Sequence, residues 1–252
     1  MYPIGICTGI ANAAIVKTAG AAYVEENVQN FLVPEQPEFR FQRAAVPVRA
    51  ANYFIPGKLK CVGPAVDLAA LVHFAGIVLQ RAQQAGIEII VFGSAGSRQI
   101  PDGFSKAKAE EQFLALLREL GPLAARHDIT IVVEPISRGE CNFINSVPEG
   151  AVFVAACNHP NIRLLADFYH MLREGQSPDD IRRHGGPLRH VHVAEKATRT
   201  APGVAGDDFR PFLKALQDVH YKGAISIECN WTDLAGEAGP AVAELNRQIR
   251  EA

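Results

Sequence analysis

The sequence predicts an α/β fold, a (β/α)8 TIM barrel that forms a single domain over residues 1–252. Eight short apolar runs alternate with stretches of helical spacing, a pattern typical of a parallel sheet covered by helices on both faces. Eight such units in about 250 residues also match the usual size of this barrel. An open doubly wound sheet is the alternative, but it should carry a glycine-rich phosphate loop after an early strand, and none has the required spacing.

The apolar runs give the predicted strands in chain order. They are Pro3–Cys7, Ala22–Asn27, Val46–Tyr53, Ile87–Phe92, Thr130–Glu134, Ile162–Asp167, His190–Ala194 and Ala224–Cys229. The segment Gly93-Ser94-Ala95-Gly96 after the fourth run is interpreted as a flexible loop.

Helical spacing is clearest in three stretches between these runs: Asp67–Ala85, Ser105–His127 and Asp207–His220. Asp67 and Ser105 are suitable N-cap residues. The segment Ser146-Val147-Pro148-Glu149 has the form of a capping box with a proline in the first turn. No low-complexity segment interrupts the alternation, so no linker or second domain is predicted.

Composition excludes several classes of protein. The net charge is −2 and there is no lysine or arginine run, which disfavours a nucleic-acid partner. There is no basic leader and no apolar run near the ~20 residues of a membrane span, so no membrane partner is expected. The five cysteines are scattered without a CxxC pair, which indicates reduced thiols and a cytoplasmic protein.

Four metal-seeking residues stand at the ends of the last four predicted strands. Glu134, Asp167, His192 and Glu228 are separated by 25 to 36 positions, about one strand-plus-helix unit each. Because parallel barrel strands end at one face, these side chains are expected to converge there. Three carboxylates and one imidazole suit a divalent cation, preferably Mn²⁺, with Mg²⁺, Co²⁺ or Zn²⁺ as alternatives, and suggest an enzyme.

Further polar residues lie close to this set in sequence. Glu140 follows Glu134 in the next loop, and His170 lies one helical turn after Asp167. Arg199 lies in the loop after His192. It could be an exposed loop residue or a substrate contact, and the sequence does not decide between these two interpretations. His190 should face the barrel interior together with His192, at a deeper level, because residues two apart in a strand share a face.

The motifs resemble those of the xylose-isomerase-like sugar isomerase/epimerase family, which includes D-tagatose 3-epimerase and hydroxypyruvate isomerase. The resemblance covers most of the chain. It is carried by Glu134 with the segment Ser137–Asn145, Asp167-x-x-His170, His190-Val191-His192, Gly223-x-Ile225-Ser226-Ile227-Glu228, Val91-Phe92-Gly93-Ser94 with Arg98 and Pro101, and Lys60-Cys61-Val62-Gly63-Pro64.

The resemblance implies that Glu134, Asp167, His192 and Glu228 bind one divalent ion, and that the two glutamates also form the catalytic acid/base pair. It further implies that Glu140, His170 and Arg199 contact the substrate. The family places an arginine six residues after the ligand histidine, whereas Thr198 stands there in this chain and Arg199 follows it.

The predicted function is metal-dependent isomerisation or epimerisation of a small sugar or hydroxy-keto substrate, by removal of a proton next to a carbonyl. A metal-dependent dehydratase of keto-sugars or inososes is an alternative on the same chemistry. A zinc nuclease of the endonuclease IV type would need more ligand histidines, and a non-catalytic sugar-binding protein would lack a ligand or a base. The substrate, its phosphorylation and the oligomeric state, which includes a homo-oligomer among the options, stay open.

Overall fold

The chain folds into a closed barrel of eight parallel strands, in a computed structural model that describes residues 2–41 and 44–252. The strands follow each other around the barrel in sequence order, and the first pairs with the last. They are β1 (Ile4–Cys7), β2 (Tyr23–Asn27), β3 (Val48–Asn52), β4 (Ile89–Phe92), β5 (Thr130–Val133), β6 (Ile162–Asp167), β7 (Leu188–Val193) and β8 (Ala224–Ile227). This confirms the predicted fold class.

Helices follow the strands along the described part of the chain. They are α1 (Ala13–Thr18), α2 (Val28–Phe31), α3 (Leu68–Ala85), α4 (Ala95–Arg98), α5 (Lys106–Ala125), α6 (Val147–Cys157), α7 (Phe168–Arg173), α8 (Pro178–His184), α9 (Arg210–Asp218) and α10 (Leu234–Glu251). A single 3-10 turn, Ile10–Asn12, precedes α1. No helix within the described ranges is long and apolar enough to cross a membrane.

The predicted strand runs differ from the observed strands mainly at their ends. The third run stops at Asn52 because Tyr53 has a left-handed backbone (φ 59°), which no strand residue can adopt. The seventh strand begins at Leu188 rather than at His190. These shifts leave the polar residue at the end of each strand in its predicted place.

The predicted N-caps are confirmed, with one difference. The side chains of Asp67 and Ser105 cap α3 and α5 by accepting a backbone N–H from the first helical turn. Ser146 caps α6 in the same way, but the Glu149 carboxylate accepts from the N–H of Asn145 (2.7 Å) rather than from that of Ser146. The predicted capping box is therefore only half formed.

The barrel interior is divided into an apolar layer and a polar layer. Buried side chains at the N-terminal level form a compact group, namely Tyr23, Ala50, Ile89, Val91, Val132 and Leu165. Two residues further along the strands the interior becomes polar, as at Glu25, His192 and Ser226, all buried. The polar layer therefore lies beneath the C-terminal mouth.

All five cysteines are free.

Candidate active site

Four side chains meet at the C-terminal ends of β5 to β8. Glu134 and Glu228 directly follow β5 and β8, Asp167 ends β6, and His192 lies near the end of β7. One potential ligand atom of each lies within 4.8 Å of those of the others. Nδ1 of His192 is 3.1 Å from Oε1 of Glu134 and 3.4 Å from Oε2 of Glu228. The structure thus brings the predicted set together, and its role as a metal site stays a prediction.

Residues after β4 make room for Glu134 and hold its backbone. A Cβ atom at Gly93 would lie 2.1 Å from Oε2 of Glu134, so only glycine allows this carboxylate its position. The buried guanidinium of Arg98 donates from Nη2 to the backbone carbonyl of Glu134 (2.9 Å). Arg98 ends α4, which begins at Ala95, so the segment predicted as a loop contains the start of a helical turn.

The two carboxylate oxygens of Asp167 have different surroundings. Its Oδ1 caps α7 by accepting from the N–H groups of Tyr169 (2.7 Å) and His170 (3.4 Å). Its Oδ2 is buried and has no hydrogen-bond partner among the described residues. A buried carboxylate oxygen left without a partner costs free energy, and a cation at the centre of the four side chains would satisfy it. The donor set therefore fits a divalent ion.

The acidic groups have shifted pKa values because they are buried close together. Burial raises the pKa of Glu134 and of Asp167 above their ordinary values, and the positive charges nearby only partly oppose it. Burial acts in the same direction on Glu228, but His192 and Arg199 outweigh it and lower its pKa to about 2. The pKa of His192 is raised by Glu25 and Glu228 despite its burial. Negative charge thus concentrates at the mouth and favours a cation.

His170 and Glu140 border the cluster without joining it. Nδ1 of His170 accepts from the backbone N–H of Ser137 (3.1 Å), and its Nε2 lies 3.6 Å from Oδ2 of Asp167. Oε1 of Glu140 lies 4.0 Å from Nδ1 of His170 and 3.4 Å from Nη1 of Arg199. Both predicted substrate residues are therefore placed at the rim of the mouth, and their roles stay predictions.

Arg199 reaches back over the cluster from the β7–α9 loop. Its Nη2 forms an ion pair with Glu228 and lies 3.7 Å from Oδ2 of Asp167, and its guanidinium stacks 4.6 Å from the ring centroid of Tyr169. A left-handed backbone (φ 55°) and a 2.7 Å hydrogen bond from the N–H of Asn230 to its carbonyl hold the residue in place. The shift of one position from the family pattern therefore does not remove this arginine from the site.

The loop that carries Arg199 is organised by Glu195, which sequence reasoning missed. Its carboxylate is fully buried and accepts from four backbone N–H groups, those of residues 203, 205, 206 and 207, and from the hydroxyl of Thr200 (2.9 Å). The bond to Asp207 is one reason why α9 begins at Arg210 and not at the predicted Asp207. A glutamate three residues after His192 was the only sequence signal.

A second missed residue is Glu25, on β2. Its carboxylate is buried and lies 2.8 Å from Nε2 of His192 and 2.8 Å from Nε2 of His190. Burial by itself would raise the pKa of Glu25, but His192 and His190 outweigh it and hold the pKa well below its ordinary value. His190 and His192 share the interior face, as predicted. The acidic pair Glu25-Glu26 within an apolar run was the signal.

A small polar cleft of about 230 Å³ opens beside the cluster and is lined by Glu134 and Glu228 together with Glu140, His170 and Arg199. Asn52, at the end of β3, donates to Oε1 of Glu228 (3.0 Å) and was also missed. A multi-zinc nuclease would need further histidine ligands at this site. The cleft lining and the clusters of potential ligands among the described residues contain none of His127, His159, His184 and His220.

Fold and site together define a TIM barrel with a carboxylate-rich cluster at the C-terminal mouth, and comparison with known proteins identifies its family. Residues 66–251 match the family model described as "Xylose isomerase-like TIM barrel". The chain belongs to this family, which confirms the resemblance expected from its motifs.

Curated relatives match about half of this chain. L-ribulose 3-epimerase of Methylomonas sp. (strain DH-1) is 34% identical over 116 residues, 46% of this chain and 40% of that protein. A putative hydroxypyruvate isomerase of Homo sapiens is 29% identical over 128 residues, 49% of this chain and 46% of that protein. The chain thus spans less than half the length of either relative in these matches.

Solved structures extend the likeness of fold to the whole chain. A structure of L-ribulose 3-epimerase has a TM-score of 0.83 at 19% identity and covers 100% of this chain and 95% of the other. D-allulose 3-epimerase of Methylomonas sp., in complex with D-allulose, has a TM-score of 0.78 at 21% identity and covers 98% and 97%. At this identity the comparison establishes the fold alone.

Proposed function

We propose that this chain is a metal-dependent isomerase or epimerase that acts on a small sugar or hydroxy-keto compound by moving a proton next to its carbonyl. One observation carries the proposal: Glu134, Asp167, His192 and Glu228 bring ligand atoms within 4.8 Å of each other, and the buried Oδ2 of Asp167 has no hydrogen-bond partner among the described residues. The relatives named as sugar epimerases and isomerases support the substrate class.

These four residues would hold one divalent ion, with Mn²⁺ preferred and Mg²⁺, Co²⁺ or Zn²⁺ also compatible with the donors. When bound, such an ion polarises the substrate carbonyl and offsets the negative charge that develops during proton removal. Glu134 and Glu228 follow strands that are not neighbours in the barrel. They can therefore flank a substrate, one removing the proton and the other returning one.

The outcome depends on where the proton returns. Return to the neighbouring carbon interconverts an aldose and a ketose, and return to the opposite face of the same carbon inverts its configuration. Glu140, His170 and Arg199 at the rim of the cleft supply donors and acceptors for sugar hydroxyls. The family's aldose–ketose and ketose–ketose reactions differ only in this last step.

The test is incorporation of deuterium from D₂O into ketoses and hydroxy-keto compounds, free and phosphorylated, followed by NMR and mass spectrometry. We expect metal-dependent exchange next to the carbonyl of at least one compound, abolished by a chelator. The Glu134→Gln and Glu228→Gln variants should lose about 10²–10⁴-fold in rate even at full metal occupancy.

The exposed Glu88→Gln variant is the matched control and should exchange normally, because Glu88 lies on the outside of the barrel and its carboxylate pairs with Arg49, away from the cleft. Full recovery of the Glu134→Gln and Glu228→Gln variants by added metal would show that these residues bind metal without transferring protons. A product lighter by one water would assign the dehydratase reaction instead.

A further inference from the structure

We propose that Glu25 is the residue that positions His192, by accepting a hydrogen bond from Nε2 and thereby directing a lone pair of Nδ1 towards the divalent ion. The inference rests on the metal site proposed above and adds a residue from β2, three strands away from β7 around the barrel. Glu25 touches neither the cleft centre nor the three acidic ligands, so it acts through the imidazole.

The geometry of the His192 ring carries the argument. Its two nitrogens face different partners: Nε2 lies 2.8 Å from Oε1 of Glu25, and Nδ1 lies 3.1 Å from Oε1 of Glu134. An ionised carboxylate only accepts hydrogen bonds, so Nε2 carries a proton beside Glu25; in the metal-free protein Nδ1 faces Glu134 and carries one as well, and this second proton is the one that a cation displaces. A neutral imidazole has one protonated nitrogen, and Nδ1 is then free to bind a cation.

His190 supports Glu25 from below. Its Nε2 lies 2.8 Å from Oε2 of Glu25, while its Nδ1 is buried without a hydrogen-bond partner in the described residues. A neutral ring with its proton on Nε2 accounts for both observations. The Oε2 atom also accepts from the hydroxyl of Ser226 (2.6 Å), which in turn lies 2.7 Å from the hydroxyl of Tyr23. Hydrogen bonds to both oxygens thus hold the Glu25 carboxylate in one orientation.

The cost of this arrangement argues for a purpose beyond packing. A carboxylate and two imidazoles in a barrel core are less stabilising than apolar side chains of the same volume. The layer that holds His190 is otherwise lined by apolar side chains such as Val132 and Leu165. Histidine ligands of metal ions commonly donate their other N–H to a carboxylate, which fixes the ring and strengthens the ligand. Glu25 stands where that partner is needed.

A competing arrangement shares the same ring. Cys7, Glu25 and His192 also bring potential ligand atoms within 4.8 Å of each other, and Nε2 is the ring nitrogen beside Glu25. A cation bound there would need the lone pair on Nε2 and would leave the proton on Nδ1. The two arrangements therefore require opposite tautomers of His192, and the tautomer decides between them.

The test combines metal titration with NMR. The Glu25→Gln variant keeps the size of the side chain but replaces the charged acceptor at Nε2 of His192 by a neutral amide. The amide either accepts more weakly through its oxygen or, if its N–H₂ faces this ring, favours the His192 tautomer with the proton on Nδ1. We expect Mn²⁺ affinity, measured by calorimetry, to fall by about 10–100-fold. The matched control is Glu26→Gln, the next buried glutamate on the same strand, whose carboxylate accepts from the backbone N–H groups of Ile10 and Asn27; it should bind Mn²⁺ as the wild type does.

Long-range ¹H–¹⁵N spectra of the wild-type protein with Mg²⁺ or Zn²⁺ give the second readout. We expect a protonated Nε2 and a metal-shifted Nδ1 at His192, a result that needs no variant to fold. Unchanged Mn²⁺ affinity in a folded Glu25→Gln protein, or metal bound at Nε2, would overturn the inference. A wild-type protein that binds no ion at all would instead overturn the proposed metal site.

Discussion

Nδ1 of His170 accepts a hydrogen bond from the backbone N–H of Ser137 at 3.1 Å, which places the ring proton on Nε2. Burial lowers the pKa of His170, so the ring stays neutral near pH 7. Its Nε2–H lies beside Oδ2 of Asp167 without reaching normal hydrogen-bond distance (3.6 Å). In the Asp-x-x-His pair, the aspartate therefore belongs to the four-residue cluster, and the histidine offers a hydrogen-bond donor to the cleft.

His170→Ala should weaken turnover and leave metal stoichiometry unchanged. Loss of one hydrogen bond to a sugar hydroxyl costs about 0.5–1.5 kcal/mol, and more if the partner stays buried and unpaired. Steady-state kinetics and metal analysis of the dialysed protein check this. The exposed His73→Ala on α3 is the control. Loss of bound metal from His170→Ala would point to a site with more ligands and favour the multi-zinc reading.

Arg199→Gln should bind Mn²⁺ more tightly than the wild type while turning over substrate more slowly. The guanidinium faces Glu228 and Asp167, the same oxygens that a cation would use. Two positive charges a few ångströms apart repel by about 1–4 kcal/mol in water or at a protein surface, so the affinity for Mn²⁺ should rise by about fivefold or more. Calorimetry measures the affinity of each variant for Mn²⁺, and Arg49→Gln on the outer surface is the control. Weaker Mn²⁺ binding by Arg199→Gln than by the wild type would contradict the prediction.

Glu195→Gln should loosen the loop of residues 195–207 and raise KM through Arg199. The substitution turns an acceptor into a group that also donates, opposite several backbone N–H groups, and an unsatisfied buried group costs about 1–3 kcal/mol. Hydrogen exchange should increase in this loop and stay unchanged at α5. Protection equal to that of the wild type in the loop would show that Glu195 does not organise it.

Metal affinity should increase with pH. In the metal-free protein Glu25 and Glu228 raise the pKa of His192 well above its ordinary 6.5, although burial opposes this. The ring is therefore protonated at pH 7, and a cation that takes Nδ1 must displace about one proton. Calorimetry in two buffers of different ionisation heat should detect proton release, with affinity falling as pH is lowered. Proton uptake on Mn²⁺ binding would be inconsistent with Nδ1 as a ligand.

The strands and the acidic residues at their ends were predictable because each depends on local sequence. A buried parallel strand is an apolar run, and Glu134, Asp167 and Glu228 each stand at the C-terminal end of one. Topology then brings them together, since neighbouring strands in this barrel are also neighbours in sequence.

Contacts across the barrel could not be read in the same way. Glu25 meets His192 only because the pairing of β1 with β8 closes the barrel and brings β2 within three strands of β7, and the register that aligns them is set by eight pairings at once. The course of the β7–α9 loop likewise depends on hydrogen bonds from backbone N–H groups to the Glu195 carboxylate. No sequence pattern predicts these hydrogen bonds.

The central claim is that Glu134, Asp167, His192 and Glu228 bind one divalent ion. Anomalous diffraction at the manganese edge, from crystals grown with Mn²⁺, tests it most directly. We expect one peak per chain at the C-terminal mouth, coordinated by Nδ1 of His192 and by an oxygen of each of the three carboxylates. No peak there, several peaks, or a peak from which two of these side chains point away would contradict it.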